Sequence, residues 1–137
     1  MFLKPDYDLK SIYDIDLDEL EKSGIKAMLF DLDSTLMASK TGCYSQKTLD
    51  WLEKVQSKFF TAVISNNHNK EYIEKVSAIT PFPVLFEAKK PQTKPAKEFL
   101  QKYNINAKDA VFVGDRPLTD ILCGKLLGLS LIHISEP

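Results

Sequence analysis

Two carboxylates separated by one residue, Asp31 and Asp33 of the string DLDST, follow directly on an apolar run. A carboxylate can attack phosphorus and form an aspartyl-phosphate, which splits one difficult displacement into two easier ones. Alternation along an extended chain sends positions 31 and 33 to the same side, so the second acid can protonate a leaving oxygen and later deprotonate water. Further along, Ser65-Asn66-Asn67, Lys89-Lys90-Pro91 and Gly114-Asp115, with Asp120 five residues on, supply a hydroxyl, an ammonium and more acids. A serine hydroxyl and a lysine ammonium hold phosphate oxygens while charge shifts in the transition state. Crowded carboxylates repel an anionic substrate unless a cation intervenes. Mg²⁺ suits that need, because it takes one or two carboxylates together with phosphate and water oxygens. Asp31 and Asp115, a backbone carbonyl, and Asp33 make up the expected metal site.

Taken singly these strings say little. A D-x-D after a strand is common, Ser-Asn-Asn reads as a helix start with Asn66 as the cap, Lys-Lys-Pro as a solvated turn and Gly-Asp as a loop. Their joint occurrence, in order and each at the end of a predicted strand, carries the reading.

The elements that must position them follow from the apolar pattern. Residues 25–31 (IKAMLFD) are too short for a core helix and are bounded by Gly24, the mark of a buried parallel strand. Further strands are expected at 59–65, 83–86 and 110–113. Helical spacing appears at Leu49, Leu52, Val55 and Phe59; at Tyr72, Ile73, Val76 and Ile79; at Ala96, Phe99, Leu100 and Tyr103; and at Leu118, Ile121, Leu122 and Leu126. A short helix capped by Asp16, with Glu19 at capping-box spacing and Gly24 as its stop, precedes the first strand. Strand–helix alternation predicts an α/β fold, a parallel sheet with helices on both faces and right-handed crossovers. Ligands bind beyond the carboxyl ends of such strands, where all the acids lie.

Composition sets the wider bounds. The 137 residues suit one domain, with 44% apolar and 27% charged residues and a net charge of −1. No nucleic-acid partner is expected from that balance. Cys43 and Cys123 form no C-x-x-C pair and read as reduced thiols. Phe2 and Leu3 are followed at once by Lys4, Pro5 and Asp6, so no signal peptide is expected, and no apolar run approaches the ~20 residues of a membrane span. The expected location is cytoplasmic, or peripheral to a membrane. His68 reads as a first-turn surface residue, and Trp51 and Tyr44 as packing or plainly exposed residues rather than an edge of the site.

Residues 129–137 (LSLIHISEP) resemble the translation of a transposon-end sequencing adapter and are expected to be a non-native tail, which would leave His133 without functional meaning. On that reading residues 1–128 form a domain truncated at its carboxyl end, short of a sheet edge.

DLDST resembles the first motif of the haloacid dehalogenase (HAD) superfamily, D-x-D-x-T. ISNN resembles the second, KKP the third and GDRPLTD the fourth, G-D-x-x-x-x-D. The likeness covers residues 1 to 128. SIYDIDLDELEKSGIK and the KKP to GDRPLTD stretch resemble the YqeG group of class IIIA HAD phosphatases, whose relatives include mitochondrial phosphatidylglycerophosphate phosphatase. The resemblance implies a HAD-like Rossmannoid three-layer sandwich and a Mg²⁺-dependent phosphomonoester hydrolase. It makes Asp31 the nucleophile, Asp33 the general acid/base and Asp115 the metal holder. Thr35 would support the loop, Ser65, Asn66 and Lys90 would bind phosphate, and Asp120 would help from outside the metal's direct contacts. Lys94-Pro95 is a second Lys-Pro; Lys90 is preferred because it directly follows a strand. Residues 36–45 are too few for a cap domain, so the site is expected to be open to a phosphorylated small molecule or a phospholipid head group such as phosphatidylglycerophosphate. A receiver-like phospho-acceptor and a non-catalytic binding protein of the same fold are the rival readings. Asp33 argues against the receiver, because it should speed hydrolysis of a phosphoryl group that a receiver must keep.

Overall fold

The computed structural model describes residues 7–38, 41–116, 120 and 122–134. Six strands form one sheet: β1 (Tyr7–Leu9), β2 (Ala27–Phe30), β3 (Phe60–Ile64), β4 (Val84–Leu85), β5 (Ala110–Gly114) and β6 (Ser130–Ile134). Their order is β1-β6-β5-β2-β3-β4, and every pairing is parallel. Five helices connect them: α1 (Leu17–Lys22), α2 (Gln46–Lys58), α3 (Lys70–Ile79), α4 (Lys94–Lys102) and α5 (Leu122–Leu127).

Side-chain alternation along the strands makes the two apolar layers. Met28 and Phe30 of β2, with Val63, Val111 and Val113, meet Leu20 of α1, Trp51, Leu52 and Val55 of α2 and Val76 of α3. Ala27 and Leu29, with Ala62, Ile64 and Phe112, meet Ala96, Phe99 and Leu100 of α4 and Cys123 of α5 on the other face. Met28, Leu29 and Phe30 are wholly inaccessible. Each such burial is worth ~1.5–3 kcal/mol relative to exposure, so the central strand is fixed by both layers. Trp51 packs edge-on against Phe30, at 5.7 Å between ring centroids.

Register then sets the site. Phe30 stands opposite Val63 on one side and Val113 on the other. The chain therefore leaves β2, β3 and β5 at one level, and Asp31, Ser65 and Asp115 emerge together. The Asp31 N–H still donates to Val113 O, at 2.9 Å.

Three expectations need correction. Helix α3 begins at Lys70 rather than near 67, and its cap is Asn69, whose side chain accepts from Tyr72 N; Asn66 is engaged elsewhere. Ile79 and Leu126 are exposed rather than on packed faces. The extended segment Tyr7–Leu9 was not anticipated, since three residues carry too short a pattern to read. Ser130–Ile134 of the tail pairs with β5 and, on its far side, with β1. Leu118 and Ile121, and residues 135–137 of the tail, lie outside the described residues. Asp16 does cap α1, accepting from Glu19 N at 3.0 Å, and the chain turns at Gly24 with φ of +92°.

Candidate active site

Lys90 organises the centre. The loop after β4 carries it inward, and its side chain is 1% exposed. Its ammonium donates to Asp31 Oδ1 at 2.9 Å, Asp120 Oδ1 at 2.7 Å and Ile64 O at 2.7 Å, which uses all three protons. Burial works against the charged form, but Asp31 and Asp120 outweigh it and hold the Lys90 pKa above its ordinary value. The backbone of Lys90 is clamped by Asn66, which accepts from Lys90 N at 2.7 Å and donates to Lys90 O at 3.0 Å. Asn66 thus places the lysine rather than capping a helix. Lys94 is exposed at the start of α4, so Lys90 is the lysine in the site.

Asp120 is held at both ends, since its Oδ2 accepts from Arg116 N at 3.2 Å. Gly114 makes room for it: a Cβ there would lie 2.6 Å from Asp120 Cβ. Asp31 is buried, and desolvation raises its pKa to about 6, against the lowering effect of Lys90. Asp115 is raised as well, by burial first and then by the charge of Asp31.

Carboxylate oxygens of Asp31, Asp115 and Asp120 lie within 4.8 Å of one another. Asp115 Oδ1 is buried and has no hydrogen-bond partner among the described residues. An orphaned carboxylate oxygen beside a second, desolvated carboxylate is a donor set for a hard divalent cation, and the residues fit Mg²⁺. Asp31 and Asp115 would hold it, because both oxygens of Asp120 already accept hydrogen bonds. Asp33, expected as a third ligand, stands outside the trio and its Oδ1 accepts the phenol proton of Tyr72.

Asp31, Asp33, Ser65, Asn66, Asn67, His68, Asn69, Lys90, Arg116 and Asp120 line one cavity of about 280 Å³. His68, read from sequence as a surface residue, is exposed and also lines this cavity. Ser65 is buried, and its Oγ accepts from Asn67 N at 3.1 Å. Thr35 sits in the loop after β2, where its N–H donates to Leu32 O at 3.2 Å, and its hydroxyl is buried with no partner among the described residues. Pro117, Leu118 and Thr119 of the GDRPLTD string lie outside the described residues. His133, on β6, places Nε2 3.0 Å from Asp115 O.

Sequence reasoning missed Tyr72 and Arg116. Tyr72 was absorbed into the apolar face of α3, although a phenol in the first turn after a site-bearing strand was a usable signal. Arg116 is the only arginine in the chain and sits inside a motif, which was the signal for it.

An open parallel sheet with these groups at one rim is a HAD-like fold. A solved HAD-superfamily hydrolase of subfamily IA from Geobacter sulfurreducens shares the fold, with a TM-score of 0.55, 15% identity, and coverage of 82% of this chain and 91% of that one. An uncharacterized protein from Listeria monocytogenes is more alike in structure, with a TM-score of 0.68, 19% identity, and coverage of 81% and 79%. The sequence model of the family described as mitochondrial PGP phosphatase matches residues 1–137, and the chain belongs to that family. It is 27% identical to the probable phosphatase YqeG of Bacillus subtilis over 97% of this chain and 77% of that protein. It is 28% identical to the chloroplastic/mitochondrial phosphatidylglycerophosphate phosphatase 1 of Arabidopsis thaliana, over 99% of this chain but only 41% of that protein. The chain is thus a phosphatase of this family, similar to YqeG, on a HAD-like fold.

Proposed function

We propose that the chain is a Mg²⁺-dependent phosphomonoester hydrolase that works through an aspartyl-phosphate on Asp31. One observation carries the reading: the Asp31 carboxylate lies 2.9 Å from the Lys90 ammonium and faces the same cavity as Asp33 and Ser65. Ser65 donates to a phosphate oxygen, Lys90 turns one N–H from Asp31 to another, and the Asp31 oxygen so released attacks phosphorus. The new P–O bond forms as the bond to the ester oxygen breaks, and Asp33 gives that oxygen its proton, releasing the alcohol. Asp33, now a carboxylate, takes a proton from water as the water oxygen attacks phosphorus. The acyl-phosphate P–O bond breaks, inorganic phosphate leaves, and both acids return to their starting forms. Asp31 and Asp115 would hold Mg²⁺, which when bound would supply positive charge against the phosphate oxygens.

The substrate we propose is a lipid phosphate of the phosphatidylglycerophosphate kind. The segment from β2 to α2 is too short to hold a folded cap domain. Beside the catalytic loop, Ser34 and Thr35 open onto a second cavity of about 580 Å³ with apolar walls from Ile12, Leu36 and Met37. That space suits the part of a lipid next to its phosphate. Among the described residues no helix is long and apolar enough to cross a membrane; the enzyme would work at a bilayer surface, from the cytoplasmic side.

Phosphate release from phosphatidylglycerophosphate in mixed micelles and from glycerol 3-phosphate, with and without Mg²⁺, tests both parts. Asp31→Asn should lose ~10³-fold or more of the turnover. An undiminished rate in that variant removes the mechanism, and a preference for the soluble ester removes the lipid. We further propose that residues 1–128 carry the activity and that 129–137 derive from an adapter; unfragmented genomic DNA encoding the same nine residues would refute the latter.

A further inference from the structure

Lys90 and Arg116 are the permanently charged cations among the described residues that line the catalytic cavity, and their situations differ. Lys90 is buried, and its ammonium is fully engaged by Asp31, Asp120 and Ile64 O. Arg116 is exposed, and its guanidinium makes no ion pair or hydrogen bond among the described residues. A guanidinium stays charged at any working pH, and its planar fork of N–H donors fits two oxygens of one phosphate. We propose that Arg116 is a specificity-determining residue: it binds a second phosphate of the substrate, the phosphodiester that lies one glycerol unit from the monoester being hydrolysed. This deepens the lipid-phosphate reading above and rests on it.

The position of Arg116 is fixed from the core. Arg116 N donates to Asp120 Oδ2 at 3.2 Å, and Asp120 N donates to Arg116 O at 2.8 Å. The other oxygen of the same carboxylate accepts from the Lys90 ammonium at 2.7 Å. One carboxylate, 1% exposed, therefore sets the backbone of Arg116 relative to the ammonium that meets the monoester. The cavity also has space for more than the reacting group. At roughly 30 Å³ for each water-sized group, about 280 Å³ admits the phosphoryl group and part of the alcohol bonded to it. The remaining described lining residues are acids or carry no fixed charge, so a second anion finds its counter-charge at Arg116.

The direction of attack puts that anion on the correct side. Attacking and leaving oxygens lie roughly in line across phosphorus. Asp31 attacks from the buried end, so the alcohol points away from it, toward the open end where Arg116 is exposed. In a phosphatidylglycerophosphate the first charged group met in that direction is the phosphodiester. Glycerol 3-phosphate lacks it, and phosphatidic acid carries acyl chains without it. A charge-assisted fork to a phosphate is strong and directional, but an exposed pair is screened by salt. The selectivity it gives is therefore on the order of 10-fold.

The experiment compares wild type, Arg116→Gln and Arg116→Lys on dihexanoyl phosphatidylglycerophosphate, dihexanoyl phosphatidic acid and glycerol 3-phosphate. Lipids are kept below micelle formation, Mg²⁺ is saturating, and melting temperatures are taken alongside. Wild type should prefer the first lipid over the second by about 10-fold in kcat/KM, and added salt should shrink that ratio. Arg116→Gln should lower the ratio by about 10-fold, chiefly through KM, and Arg116→Lys by less, because an ammonium keeps the charge but not the fork. A wild-type ratio below about 2-fold, or a ratio that Arg116→Gln leaves unchanged, would overturn the proposal while leaving the phosphatase reading intact. Equal losses on all three esters would do the same, by placing Arg116 on the transferred phosphoryl group. A preference that arises only when phosphatidylglycerol vesicles are added would overturn it too, since the guanidinium would then be meeting a bilayer. Wild type that hydrolyses none of the three ends the phosphatase reading, and this proposal with it. If Arg116→Gln melts far below wild type, the wild-type ratio and its salt dependence decide.

Discussion

At the scale of residues, the site is a balance of buried charges. Lys90 is the one buried ammonium among Asp31, Asp120 and the half-buried Asp115, so carboxylates outnumber it and desolvation pushes the Asp31 pKa up to about 6 from the ordinary 3.8. Between those two values the folded metal-free chain keeps a proton that the unfolded chain has released. This group's contribution to stability is therefore largest below about pH 4, falls as pH rises toward 6, and is flat beyond. Replacing the carboxylate by a neutral amide of the same shape removes that cost. Asp31→Asn should raise the stability of the metal-free protein above pH 6 by roughly 1–3 kcal/mol, and not below pH 4, while abolishing turnover. Urea unfolding at pH 4 and pH 7 in EDTA reads the difference; equal stability of the two proteins at pH 7 would mean that Lys90 compensates Asp31 fully.

Among the elements, α3 joins the phosphate side of the cavity to the acid side. Its cap, Asn69, accepts from Tyr72 N, so one side chain starts the helix and orients the phenol-bearing residue. Asn69→Ala should destabilise the fold by ~1 kcal/mol, the usual value for a lost cap. Thermal unfolding reads the loss, and an unchanged melting temperature would mean that the cap contributes nothing. The loop after β4 does a similar service for Lys90, through Asn66 and backbone residues Glu87 and Lys89 at positive φ. A one-residue slip of β3 against β2 would turn Ser65 away from Asp31, and the layers of apolar side chains on both faces prevent it.

For the whole molecule, the carboxylate cluster ties folding to cation binding. A cation held by Asp31 and Asp115 in the folded chain alone stabilises it by mass action, ~2.7 kcal/mol at a hundred times its dissociation constant. Mg²⁺ should therefore raise the melting temperature and EDTA should lower it and stop turnover. Asp115→Asn should lose most of the Mg²⁺-dependent shift. Differential scanning fluorimetry across a Mg²⁺ titration reads this; an equal shift in the variant would place the cation elsewhere. The sheet also shows how little an edge asks of its sequence. Leu131, Ile132 and Ile134 are buried, and Leu131 packs where a Cβ on Gly124 would lie 2.2 Å from its Cδ2. Any short apolar stretch of that pattern following α5 would extend a parallel sheet, so the pairing of Ser130–Ile134 says nothing of where those residues came from.

Four strands, β2 to β5, the helices on both faces and the convergence of Asp31, Asp33, Ser65, Lys90 and Asp115 were legible in the sequence, because each of these residues follows an apolar run and parallel register brings such ends to one level. The sequence could not reveal which side chain faces which. That Asn66 clamps Lys90 while Asn69 caps the helix, that Asp120 and not Asp33 joins the carboxylate trio, and that Tyr72 turns from the apolar face to Asp33 all depend on side-chain directions. Those directions are set by packing between segments dozens of residues apart, which no local pattern encodes.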